Sequence, residues 1–246
     1  MGIERALAFL ALLAEVAGTV GGFGSSTLFV PITGFFFDFQ SVLGITALFH
    51  LLSNLSKLGL FRGGIDARLL LTLGVPSVAF AVLGSLATPH LPVAWLKLAL
   101  AVFLIVFSAL LLWREECRLP PTPWAAALGG ALSGGMAGLV GTGGAVRCLT
   151  LAAFALPKDG FVATSAAIDT GIELARAGIY FRNGYLHAHD LVWIPMLGGM
   201  ALAGTWIGRR VLQRMPQARF RQIALALVFA IGWVTLYAAL GGEAPP

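Results

Sequence analysis

Twice in this chain a charge-poor stretch runs too long for a single membrane crossing. Residues 6–37 and 124–157 span 32 and 34 positions. As straight helices each would reach roughly 50 Å, against a hydrocarbon core of about 30 Å. Both are interrupted at matching places by glycines: Gly18, Gly21, Gly22 and Gly24 in the first, and Gly134, Gly135, Gly138, Gly141, Gly143 and Gly144 in the second. Tilt absorbs part of the excess length, and small residues also permit tight helix packing. Paired interruptions at corresponding positions point further, to broken or re-entrant helices.

Six more charge-poor stretches follow the same rule, at about 41–61, 69–88, 92–113, 160–181, 191–208 and 222–240. Only 11% of the residues are charged and 58% are hydrophobic, where a soluble domain carries about a quarter charged residues. The expected fold is therefore an all-α integral membrane protein. The charged, proline-rich stretch REECRLPPTP at 114–123 divides an N-terminal membrane repeat (1–113) from a C-terminal one (124–246).

The halves resemble each other. At an offset of 120, Ala17-Gly18, Val20-Gly21 and Gly24 match Ala137-Gly138, Val140-Gly141 and Gly144, and Phe61, Arg62 and Gly64 match Phe181, Arg182 and Gly184. A short insertion around 185–190 moves the offset to 124, where Asp66 meets Asp190, Gly74 meets Gly198, Gly84 meets Gly208 and Pro92 meets Pro216. Loop charges bear on topology. If all eight stretches cross once, Arg5, Arg62, Arg68, Arg114, Arg118 and Arg182 oppose Lys97, Lys158, Arg209, Arg210, Arg214, Arg219 and Arg221, which is no bias. If stretches one and five each enter and return, Arg5, Lys97 and Arg182 alone oppose the other ten, as the positive-inside rule requires. That arrangement makes the repeats inverted and puts both termini outside a bacterial-type inner membrane. The weakly basic N-terminus, MGIERALAFL, makes no convincing signal peptide.

A broken helix bares backbone N–H groups that only protein or a watery cavity can serve. Half-helix N-termini carry positive dipole ends suited to an anion. The candidate binding residues are accordingly Gly21, Gly22, Gly24, Ser25, Gly141, Gly143 and Gly144, with two cations, Lys57 and Arg147. Arg147 follows GTGGAV within the second long stretch, and its guanidinium fork fits an oxyanion; snorkelling to an interface is the plainer alternative. Glu15 is placed to pair with Arg147 across the pseudo-symmetric centre.

Two polar stripes complete the set. His50, Asn54 and Lys57 fall at i, i+4 and i+7, as do Asp169, Glu173 and Arg176, with Ser165 one turn before them. Ionisable groups within spans cost roughly 2.5–3.5 kcal/mol each on insertion scales, so they turn inward to a pathway or to one another. Asp169 or Glu173 neutralising Arg176 and Lys57 would be structural; a salt bridge that opens would couple protons to substrate.

At the glycine segments the chain resembles the TauE/SafE family of sulfite-exporter-like permeases. Gly21-Gly22-Phe23-Gly24-Ser25 followed by LFVPI, and Gly141-Thr142-Gly143-Gly144-Ala145, match its glycine-rich element. Ala163-Thr164-Ser165 and Arg182-Asn183-Gly184 match its next helix start and turn; in the first half Gly44-Ile45 stands in place of Thr-Ser, while Arg62-Gly63-Gly64-Ile65-Asp66 keeps the turn. Phe23, Ser25 and Ala145 depart from the glycine pattern. The resemblance implies secondary transport of sulfite, sulfonates or related organosulfur anions, driven by a proton gradient.

Other functions have less support. Ser25 or Ser26 with His50 would make a serine–histidine pair, but nothing in the sequence brings them together. A non-transporting scaffold would pair off its polar stripes and leave no cavity. No GxxxxGK[ST] motif is present. His187, His189 and Asp190 are weak grounds for a metal, so neither metal nor cofactor is expected. The basic run RRVLQRMPQARFR reads as a solvated loop near anionic headgroups, not a nucleic-acid site. The expected partners are a small anion, protons and the bilayer, with a homo-oligomer open.

Overall fold

The computed structural model describes residues 2–21, 24–61, 64–113, 120–154, 156–186, 192–214 and 217–240. Among these residues the secondary structure is helical, without strands. Ten helices follow in order: α1 (Gly2–Gly21), α2 (Ser26–Thr33), α3 (Phe39–Leu60), α4 (Ala67–His90), α5 (Val93–Trp113), α6 (Pro123–Val140), α7 (Gly144–Ala152), α8 (Lys158–Arg182), α9 (Ile194–Arg214) and α10 (Gln217–Ala239). Phe39–Leu60, Ala67–His90 and Val93–Leu110 are long and apolar enough to cross a bilayer, and Leu7–Val20 and Val228–Ala239 are shorter apolar stretches.

Local chemistry sets the ends. Asp38 caps α3, accepting from the backbone N–H groups of Gln40 and Ser41 at 3.1 and 3.0 Å. Asp66 caps α4 through Leu69 N–H at 3.0 Å. Thr122 caps α6 through Ala125 N–H, and Pro123 fills the first helical position, where no N–H is needed. Within α4 the turn Leu70–Gly74 widens to a π-turn just before Pro76. Proline has no N–H to give and crowds the carbonyl four residues back, and the wider turn accommodates both effects.

Both over-long stretches are broken. The first divides between Gly21 and Ser26, with Gly22 and Phe23 outside the described residues. The second divides at Gly141–Gly143. Gly141 closes α6 at φ 81°, a left-handed conformation that L side chains rarely adopt. Beyond the break α7 lies back along α6: Thr150 packs on Gly129, and Ser133 Oγ donates to the Gly143 carbonyl at 2.8 Å. In line, residues 129 and 150 would stand roughly 30 Å apart.

The long helices pair as α4 with α6, α1 with α9, α3 with α8 and α5 with α10. Glycine makes the closest approaches. Gly134 meets the backbone of Ser77, Gly138 meets Ala81 and Ser85, and Gly208 meets Thr19. The glycine run of residues 134–144 thus divides its work, with the earlier glycines packing helices and the later ones breaking one. The surface is inverted relative to a soluble protein. Leu71, Trp113 and Trp124 are 68%, 89% and 72% exposed, whereas Glu15 and Arg176 are fully buried. Apolar side chains outside and charge inside is what a lipid solvent selects.

The arginines expected in a loop after residue 208 sit on helices instead. α9 continues to Arg214, with Arg209 over the Phe61 ring at 5.3 Å and Arg210 over Trp206 at 3.8 Å. Arginine is a good helix former and its stem packs on rings. The linker residues 114–119 and the candidates His187, His189 and Asp190 lie outside the described residues.

Candidate functional site

Six buried charges and one histidine converge between the two halves. On α1, Glu15 is a four-way acceptor. Oε1 takes hydrogen bonds from Thr19 at 3.1 Å, from Thr205 of α9 at 2.9 Å and from Lys57 Nζ at 2.8 Å, and Oε2 takes one from Ser25 Oγ at 2.8 Å. Lys57 also donates to Ser53 Oγ at 2.7 Å, one turn back on α3. The sequence-based pairing of Glu15 with Arg147 is therefore wrong. Glu15 meets Lys57, a residue of the same half of the chain, instead.

Arg147 lies on α7, 2% exposed, so it does not snorkel. Its two terminal nitrogens donate to the two carboxylate oxygens of Asp169 on α8, and Nε donates to Ser165 Oγ at 3.0 Å. The whole fork is filled. Glu173, one turn beyond Asp169, accepts from Arg176 Nη1 with both oxygens at 2.7 Å. Asp169 and Glu173 thus neutralise Arg147 and Arg176, and neither pairs with Lys57 as the sequence had allowed. Arg176 Nε and Nη2 have no hydrogen-bond partner; the guanidinium lies 5.3 Å from the Tyr180 ring centroid, with Nη2 beside Gly141.

Across these pairs the structure brings Ser25 and His50 together, which the sequence did not foretell. Ser25 Oγ stands 3.1 Å from His50 Nε2, and His50 Nδ1 stands 3.6 Å from Glu173 Oε1. The two breaks also touch, with Thr27 Oγ1 3.3 Å from Thr142 Oγ1.

A small cavity opens beside the first break. Its polar lining is Thr19, Asn54, Lys57, Arg147, Ser165 and Asp169, with Gly18 and Gly24 as bare backbone. A water's centre has about 30 Å³ in which to move, and one water needs roughly 10–15 Å³ by that measure. The space admits about two waters and no sulfonate while the carboxylates stay in place. Of the candidate residues, Gly24, Asn54, Lys57, Arg147, Ser165 and Asp169 meet at this cavity. Ser25, His50, Glu173 and Arg176 form an adjacent polar chain. Gly141, Gly143 and Gly144 shape the second break, Gly21 ends α1, and Gly22 is outside the described residues. Glu15, Ser53 and Thr205 belong to the same cluster. A buried acid within a span was the signal for Glu15; a lone threonine gave none for Thr205.

A multi-pass helical membrane protein with broken helices, a charged interior and paired cations facing a cavity is a membrane transporter in architecture. The sequence profile described as Sulfite exporter TauE/SafE matches residues 7–235, and the chain belongs to that family. The family is one of membrane transporters for sulfur anions. No curated protein and no solved structure matches the chain.

Proposed function

We propose that this protein carries sulfite or a small sulfonate across a bacterial-type inner membrane, coupled to protons, through the polar core between its halves. One observation carries the reading: Lys57 from the first half and Arg147 from the second face one cavity, each held by a carboxylate that a substrate anion can replace. Ion exchange of this kind leaves no cation bare at any stage, which matters where an uncompensated buried charge costs about 3–5 kcal/mol. The recurring helix order of the two halves supports duplication. The return of α7 along α6 supports a re-entrant second break, and with it inverted repeats and outward termini.

The test is flux of sulfite and alkylsulfonates into proteoliposomes holding the full chain. Intact protein should exceed empty vesicles, and Arg147→Ala or Lys57→Ala should lower flux at least about tenfold, since losing one partner of a desolvated charge contact costs about 2–5 kcal/mol. An intact protein inert to the whole panel sinks the reading and favours a scaffold, a role compatible with the complete pairing of Lys57 and Arg147.

Ser25, His50 and Glu173 also stand in the order of nucleophile, base and orienting acid. Hydrolysis is disfavoured because the single Ser25 proton is donated to Glu15, leaving His50 nothing to abstract. Labelling of Ser25 by a fluorophosphonate would revive that reading.

A further inference from the structure

We infer that His50 is the site of the coupling proton, and that each proton it takes up admits one monoanion to the core. The inference rests on the transport reading above and adds to it the proton's address and the stoichiometry.

Charge balance comes first. The buried carboxylates among the described residues are Glu15, Asp169 and Glu173, against the cations Lys57, Arg147 and Arg176, with His50 besides. Each carboxylate has a cation of its own. Three against three is neutral, and among the described residues His50 is the buried basic side chain outside the pairs. A neutral His50 leaves the core neutral; a protonated His50 leaves it at +1. A core shielded from water cannot hold that charge cheaply, so an anion of charge −1 is the natural counterpart.

Hydrogen inventory then shows where the proton goes. Ser25 has one hydroxyl proton, and ionised Glu15 can only accept, so at 2.8 Å that proton points to Glu15. Facing the same oxygen at 3.1 Å, His50 Nε2 must be the donor. In the neutral ring Nδ1 then carries a lone pair 3.6 Å from a Glu173 oxygen. Lone pair against carboxylate is unfavourable; adding a proton to Nδ1 turns it into a charged contact. Glu173 drawn toward His50 loosens its hold on Arg176, whose Nε and Nη2 already lack partners.

The other charges around His50 are already engaged in ion pairs or on rings. From α1 His50 is approached through Glu15, which Lys57 holds; α8 presents Asp169, Glu173, Arg176 and the Tyr180 phenol, the last donating to the Gly138 carbonyl at 2.6 Å. α2 brings no charged side chain. α9 gives Thr205 to Glu15 and keeps Arg209 and Arg210 on the rings of Phe61 and Trp206. Arg147 of α7 is held by Asp169.

The experiment measures binding of methanesulfonate, monoanionic at every pH used, to the purified full chain between pH 5 and 9. Toward the alkaline end of that range the intact protein's Kd should rise tenfold per pH unit, and His50→Gln should bind with a flat profile. Linkage requires the reverse effect too: saturating methanesulfonate should protonate His50. A chain with His90, His187 and His189 replaced by Gln leaves one imidazole, whose ¹⁵N signals report this even if His50→Gln does not fold. A pH-independent Kd in the intact protein, a sloping profile in folded His50→Gln, or an imidazole indifferent to the anion would overturn the inference. Absence of any methanesulfonate binding or flux, together with inertness to sulfite, would instead count against the transport reading itself.

Discussion

Asp169 occupies both terminal nitrogens of Arg147, so the guanidinium fork is filled by the protein's own carboxylate. A bound sulfonate or sulfite presents two oxygens in similar fashion. On the proposed transport reading, Asp169 stands in for substrate. Replacing it with Asn keeps the shape, removes the charge and strands Arg147, at a cost of about 3–5 kcal/mol for a broken buried pair. Asp169→Asn should melt well below the intact protein in anion-free buffer, and methanesulfonate should raise its midpoint more than it raises that of the intact chain. Equal anion responses in thermal unfolding would mean that Asp169 does not occupy the substrate's place.

Glu15 and Lys57 form the matching pair in the first half, at 2.8 Å with Glu15 fully buried. Glu15→Gln and Lys57→Met should each destabilise by about 3–5 kcal/mol, because each leaves the other charge uncompensated. The double variant removes both charges and should recover about 1–3 kcal/mol of the summed loss. Denaturant unfolding in bicelles measures the cycle, and strict additivity would show that the two residues do not act as a pair.

The charge pattern was more legible than the pairing drawn from it. The buried charged residues of the first half are Glu15 and Lys57, while Lys97 on α5 is not buried; those of the second are Arg147, Asp169, Glu173 and Arg176. Each buried set is neutral by itself, and the Lys and Arg ion pairs form within halves. A Glu15–Arg147 pair across the centre ignored that balance. Helical spacing placed His50, Asn54 and Lys57 on one face and Asp169, Glu173 and Arg176 on another, and α3 and α8 pack against each other. Spacing along one helix is fixed by 3.6 residues per turn. Which residue of a neighbouring helix lies opposite depends on how a broken helix turns back. The first break sets Ser25 beside His50, and the packing of α9 on α1 sets Thr205 beside Glu15, contacts 25 and 190 residues apart in the chain.

Adjacent glycines on α6 should behave oppositely. A Cβ on Gly134 would run into the Ser77 carbonyl of α4, with Ser77 Cα at 2.8 Å, whereas a Cβ on Gly135 would meet open space. Gly134→Ala must push α4 and α6 apart and should cost about 1–3 kcal/mol, the usual penalty of overpacking. Gly135→Ala should be neutral or gain up to about 1 kcal/mol from helix propensity. Midpoints of thermal unfolding for the two variants decide it; similar losses at both would mean that α4 and α6 do not approach as closely as Gly134 and Ser77 indicate.

The Asp38 cap gives a pH signature outside the spans. Partial burial pushes its carboxyl up, but hydrogen bonds from Ser41 and Gln40 more than reverse this, so it titrates below the usual carboxylate range. A lowered folded value means that the unfolded chain binds the proton more readily. The cap's contribution is therefore complete above the unfolded Asp value of about 3.9 and fades as pH falls through the lower, folded value. Asp38→Ala should cost about 1 kcal/mol at neutral pH, the usual loss on removing an N-cap, and that difference should shrink in the acid range. Asp38→Asn keeps an accepting oxygen that does not titrate, so it should retain most of the stability and lose the pH dependence. Thermal unfolding of the three chains at pH 7 and near pH 3 measures both effects; an unchanged gap at acid pH between the intact chain and Asp38→Ala would show that the charge on this carboxylate adds nothing to the cap.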